Sequence, residues 1–166
     1  MFRLPAVLLL ALSVLAGAGC GPQIDLATIQ VTDVFSGWYD FGLENGLNKL
    51  VPSISFRLKN GGAVPLTQVQ LLVSFWQDGA DGENDSKDVA GIGNTAVAVG
   101  ATSDPILVRS GVGYTIAQAR AELFTNSMFK DFTAKVFAKR GGKIVRLGEF
   151  KIERRIIPHL ATDGRP

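Results

Sequence analysis

Few residues in this chain carry side chains suited to catalysis, and their spacing does not favour it. The single imidazole is His159, directly after Pro158 in the closing stretch PHLATDGRP. A serine or cysteine nucleophile needs a base within hydrogen-bond reach, and a histidine in such a tail reads as solvated. No Gly-x-Ser-x-Gly elbow and no phosphate-cradling loop are present, and Ser110-Gly111-Val112-Gly113 reads as a turn. One Cys and one His leave zinc without a ligand set. The acidic run from Gln77 supplies the one group of oxygen donors: Asp78, Asp81, Glu83, Asp85 and Asp88. Asp81, Glu83 and Asp85 imitate the start of a calcium loop. Lys87 falls where a later ligand should stand, however, and no Gly follows Asp85, so a solvated loop is preferred over a metal site. The expectation is a chain with no catalytic residue, no metal and no cofactor, hence not an enzyme.

The remaining candidates are for binding. From Lys130 onward ten basic residues stand against four acidic ones. Lys135, Lys139, Arg146 and Arg154 can share exposed strand faces and so meet lipid headgroups or an anionic polymer. Lysines on outer strand faces also serve solubility and protect sheet edges, and that reading is preferred. Trp38, Tyr39 and Phe41 crowd one segment, read as a loop. Clustered aromatics form a contact surface or fold back onto a small core. Leu72 and Trp76 stand on the otherwise polar side of a strand, where another strand, the long acidic connection or a partner must cover them. Nucleic acid is not expected as a partner.

The first twenty residues, MFRLPAVLLLALSVLAGAGC, set the address. Arg3 precedes an apolar run from Leu4 to Leu15, and small residues follow, the plan of a secretory signal. That run is shorter than the roughly 20 residues a membrane-spanning helix needs. Gly17-Ala18-Gly19-Cys20 resembles the lipobox of bacterial lipoproteins, with Gly17 where Leu is usual. The resemblance implies cleavage before Cys20, acylation of that residue and a membrane anchor. With Gly21 next, it points to the outer membrane, facing the periplasm. Residues 1–19 are thus read as signal peptide, 20–27 as lipidated Cys and tether, 28–158 as the folded domain, and 159–166 as a loose tail. Losing Arg3 leaves 16 basic against 15 acidic residues, 17 minus 1, so no strong field results. Without a second Cys, stability must come from a core, and an apolar content of 46% suffices for one.

Alternating patterns dominate the rest of the chain. Leu26 to Phe35 reads as a first strand, followed by Ser36 to Lys49 as a loop, or a hairpin turning at Glu44-Asn45-Gly46. Ile54, Phe56 and Leu58 alternate with Ser53, Ser55, Arg57 and Lys59, and Asn60-Gly61-Gly62 ends that strand. Val69, Leu71, Val73 and Phe75 share one face of the next, Thr67 to Trp76. Gln77 to Ala96 reads as a long connection, with short strands at Val97–Val99 and Pro105–Val108. In Gly113 to Phe129 the apolar spacing of Ile116, Ala119 and Leu123 predicts a short helix. Tyr114 is placed to hydrogen-bond across a sandwich corner. Phe132, Ala134, Val136 and Ala138 form another strand, Gly141-Gly142 a hairpin, and Gly148 a bulge or bend in the last strand.

Seven or so short strands favour an antiparallel β-sandwich with one short helix, a closed barrel being the alternative. Phe56-Arg57-Leu58-Lys59-Asn60, a turn, and the strand to Phe75-Trp76-Gln77-Asp78-Gly79 resemble small immunoglobulin-like extracytoplasmic domains, the FxLYD and water-stress (WHy) types. The likeness covers about 30 of 166 residues; it implies a sandwich and carries no catalytic residue over. The functional expectation is a non-catalytic, membrane-anchored envelope module that binds a protein partner or assembly. Binding of lipid or an anionic envelope polymer through the basic face is the alternative.

Overall fold

A computed structural model describes residues 23–158. The signal segment, Cys20 with the next two residues of its tether, and the tail with His159 lie outside the described residues. Nine strands form two sheets. They are β1 (Ile29–Glu44), β2 (Leu47–Asn60), β3 (Val69–Gln77), β4 (Asp85–Ile92), β5 (Ile106–Arg109), β6 (Tyr114–Ile116), β7 (Phe132–Arg140), β8 (Lys143–Lys151) and β9 (Ile156–Ile157). The first sheet runs β5-β2-β1-β9, with β6 also on β2; the second runs β4-β3-β7-β8. The chain crosses between sheets after β2, β4, β6 and β8. With β2 at the centre of one sheet and β3 and β7 paired in the other, this is the Greek-key order of an immunoglobulin-like sandwich. All pairings are antiparallel except the two-residue contact of β9 with β1.

The core follows from strand alternation. Leu50, Ile54, Phe56 and Leu58 of β2 face Val69, Leu71, Val73 and Phe75 of β3 and Ala134, Val136 and Ala138 of β7, and all are fully buried. Small alanines on β7 let the two sheets close over the larger β2 residues. Asn60 ends β2 and is itself fully buried. Its amide donates to the carbonyls of Val64 and Val97, and its side-chain oxygen accepts the Gly62 N–H at 2.9 Å. A turn residue read from sequence is thus the peg on which two loops hang.

Four local expectations are corrected. The aromatic run Trp38–Phe41 lies in β1, not in a loop, because β2 pairs along the whole hairpin and bulges at Asp33–Val34 and Phe41 absorb the mismatch. Asn45-Gly46 makes the two-residue turn, both residues at positive φ. The acidic connection contains strand β4, whose backbone is organised by seven pairings with β3 rather than by its own apolar content. The short helix of 113–129 is instead strand β6 followed by a 3-10 turn, Arg120–Thr125. Ile116 and Leu123 are buried, but they reach the core from a strand and a tight turn rather than from one helix face. Val97–Val99 makes only an isolated bridge to Leu66. Gly148 does lie at a bulge: Val136 pairs with Gly148 and Phe137 with Arg146, leaving Leu147 as the extra residue.

Candidate functional site

Trp38 is the centre of an aromatic cluster, not part of a contact surface. It is fully buried, with Tyr114, Phe129 and Phe132 rings 5.2–5.5 Å from its own and Phe124 at 6.4 Å. Tyr39 is 3% exposed on the outer face of the first sheet, beneath the Arg109 guanidinium 3.7 Å from its ring. Both residues are therefore corrected from candidate contacts to packing residues. Phe41 differs. It is the extra residue of the second β1 bulge and is 49% exposed, with Lys49 over its ring at 5.1 Å. Beyond it Leu43 is 69% exposed and Leu47 flanks the turn. The hairpin tip thus carries three exposed apolar residues that sequence reasoning counted only once.

Leu72 and Trp76 are half-buried on the outer face of the second sheet. Cross-strand register places Asp88, Leu72, Phe137 and Arg146 in one row, and Ser86, Ser74, Lys135 and Glu149 in the next. Phe137 was overlooked as a site residue, although it is the one aromatic among Thr133, Lys135 and Lys139 on the polar side of β7. Lys135 lies 3.6 Å over the Trp76 ring, whose indole N–H donates to Ser74 Oγ at 2.9 Å. The result is an apolar strip, Leu72–Phe137–Trp76, edged by charges. At one end a shallow cavity of about 420 Å3 opens between Gln70, Asp88, Lys139 and the Gly141–Ile144 turn.

The four basic candidates do not form a common unpaired field. Lys139 donates to Asp88 at 2.7 Å, and Arg146 pairs with Glu149 on its own strand. Lys135 is committed to Trp76. Arg154 stands apart, after β8, making two 2.8 Å hydrogen bonds to Asp131. That bidentate contact, more than the opposing effect of burial, holds the Asp131 carboxyl below the ordinary carboxylate range, with Lys151 adding at 3.5 Å.

Asp85, once a candidate calcium ligand, is an inter-sheet tie. Its carboxylate accepts from Ser110 Oγ at 2.8 Å, Gly111 N at 2.6 Å, Ser86 N at 2.9 Å and Lys87 Nζ at 3.1 Å. Burial alone would raise its pKa; the Gly111, Lys87 and Ser110 donors outweigh that and lower it. Asp88 is likewise engaged with Lys139. Among the described residues, no group of three or more His, Cys, Asp or Glu side chains is placed to hold a metal ion.

One dimension of the fold orders these faces. β1 is 16 residues long, about 50 Å at roughly 3.3 Å per residue. Its first residue follows the segment that leads back to Cys20; its last opens the hairpin tip. No family model matches this chain, and no curated protein matches it either.

Proposed function

We propose that this chain is a non-catalytic envelope lipoprotein that binds a protein partner through the end of the sandwich remote from its anchor. The observation that carries the reading is the polarity of β1. The strand leaves the tether at Ile29 and delivers Phe41, Leu43 and Leu47 about 40–50 Å away at roughly 3.3 Å per residue. A chain held by lipid at Cys20 would present those side chains away from its own membrane. Exposed apolar residues gathered at a tip suit a protein contact. The Leu72–Phe137–Trp76 strip offers a second contact of the same kind, and the likeness to FxLYD and WHy-type domains agrees with an extracytoplasmic sandwich. Among the described residues no helix is long and apolar enough to cross a membrane; the proposed anchor at the outer membrane rests on the lipobox-like run Gly17-Ala18-Gly19-Cys20.

Binding of lipid or polymer by Lys135, Lys139, Arg146 and Arg154 is the less favoured reading. Each of the four already faces a carboxylate or an aromatic ring, so an anionic ligand would have to displace that partner.

Crosslinking and capture from intact cells tests the proposal. The wild-type chain should recover a specific envelope protein; Cys20→Ala with a cleavable signal should not. Phe41→Ser with Leu43→Ser should lose the partner while remaining membrane-bound and equally stable. Capture unaffected by the hairpin substitutions would overturn the tip as the contact.

A further inference from the structure

The outer face of the second sheet carries its charges in a graded order. The acidic connection leads into β4 at one edge, and β8, with Lys143, Arg146 and Lys151, closes the other. Register sorts the outward side chains into rows. Asp88, Leu72, Phe137 and Arg146 make the central row; Ser86, Ser74, Lys135 and Glu149 lie on one side of it, and Ala90, Gln70, Lys139 and Ile144 on the other. The alternate residues Leu71, Val73, Val136 and Ala138 are fully buried in the core, so these rows point away from it. Leu72 and Phe137 at the middle are only half-buried, and Ile144 at the rim is 58% exposed.

We propose that this face binds a second copy of the chain, face to face, about a two-fold axis that runs along the strands. Such an axis sets β4 of each copy over β8 of the other. Asp88 of each copy then meets Arg146 of the other, Leu72 meets Phe137, Glu149 meets Ser86 and Lys139 meets Gln70. None of the three rows brings two like charges together. An axis across the strands through the central row would instead set Asp88 on Asp88 and Arg146 on Arg146, a repulsive arrangement. The ends of the central row are open to a second contact. The Asp88 and Arg146 side chains are 66% and 50% exposed, Lys139 engages only Oδ1 of Asp88, and the Arg146 guanidinium has N–H groups beyond the one that meets Glu149.

The same axis keeps every strand pointing the same way in both copies. The two sheets of a sandwich lie within about 30° of each other, so both copies of β1 start at one end and both hairpin tips stand side by side. Two chains tethered ahead of Ile29 can therefore rise from one membrane, whereas an axis across the strands would set their starts at opposite ends. This membrane argument rests on the proposed anchor; the charge argument does not. Four strands about 4.8 Å apart, each contributing about seven residues of about 3.3 Å, cover roughly 440 Å2 per copy, about half of the usual 800 Å2. The dimer is accordingly weak in solution and gains from the high effective concentration of two anchored chains.

Sedimentation equilibrium of the mature chain with Cys20→Ala, carried to millimolar concentration, reads the association without an anchor. A monomer–dimer equilibrium is expected with no larger species, because a two-fold contact closes at the dimer. Asp88→Arg alone and Arg146→Asp alone should each weaken it more than about tenfold, since symmetry makes each change count twice. An equimolar mixture of these two variants should associate about as well as wild type, because each reversed charge then meets its opposite. Phe41→Ser with Leu43→Ser should leave the dimer intact, which separates this contact from the tip. Full association by either single variant, or no recovery in the mixture, would overturn the two-fold arrangement. A monomer at every concentration would overturn the dimer and leave the tip reading untouched; cell capture lost in Phe137→Ser would then assign the face to another protein. Thermal unfolding matching wild type in each charge variant keeps a loss from being a folding effect.

Discussion

Tyr114→Phe removes one oxygen atom and tests how the two sheets are joined. The Tyr114 hydroxyl accepts a hydrogen bond from Gln77 Nε2, at the end of β3, at 2.7 Å. It also accepts the Lys130 backbone N–H, just before β7, at 2.9 Å. Tyr114 itself belongs to β6 on the first sheet, so one hydroxyl links both sheets at their aromatic end. The phenylalanine ring would keep its contacts with Trp38 and Phe129, each 5.5 Å between centroids. The cost is then confined to these two accepted bonds, each worth about 0.5–1.5 kcal/mol net, and a long bond that the hydroxyl donates to the Lys130 carbonyl oxygen at 3.5 Å. Lys130 is exposed, so water replaces part of its bond, and the expected loss is about 1–2 kcal/mol. For a domain of this size that lowers Tm by about 3–8 °C. Urea unfolding of the unlipidated mature chain measures it, with an unchanged m-value as the sign that only stability moved. Gln77→Ala closes a double-mutant cycle, in which a coupling of about 0.5–1 kcal/mol is expected. A Phe variant as stable as wild type, or a coupling of zero, would refute the argument that this hydroxyl ties the sheets.

Other expectations follow from packing and charge. Trp38→Ala should cost about 3–5 kcal/mol, since removing a fully buried indole from among four aromatic rings leaves a cavity that the packed core closes only in part; chemical denaturation reads it. Gly113→Ala should destabilise by about 2–3 kcal/mol or more, because the added Cβ would meet the Leu50 carbonyl oxygen and stand 2.8 Å from the Val51 Cα, both backbone. Asp131 titrates below its ordinary value in the folded chain, so its contribution is fully present above the ordinary value of 3.8 and is lost as pH falls through the lowered one. Asp131→Asn should therefore flatten the acid limb of the stability–pH curve and leave its slope near neutrality unchanged; an unaltered acid limb would count against the Arg154 pairing as its cause.

Much of the architecture was legible because strand alternation is a local property. The inward sets of β2, β3 and β7 stand in the sequence at period two, and Asn60-Gly61-Gly62 and Gly141-Gly142 mark their turns. Tyr114 was legible as a corner residue because its position after Gly113 left few other uses for a hydroxyl. β4 was not legible: Asp85, Lys87 and Asp88 carry no core pattern, and the strand exists because β3 offers an edge to pair with. The spacing of Ile116 and Leu123 suited a helix, yet β6 pairs with β2 and draws Ile116 into the sheet before a helix can form.

Sequence by itself determined the signal-like start, the solitary cysteine, the dominance of strands and the inward residues of β2, β3 and β7, because each depends on composition or on neighbours along the chain. Only the tertiary structure decided which aromatics face outward. A one-residue bulge exposes Phe41 while Trp38, three residues earlier, is sealed in the core. It alone brought the Arg109 guanidinium over the Tyr39 ring, seventy positions away by 109 minus 39. Such meetings are set by sheet order and register, and those come from long-range pairing that no local window of residues contains.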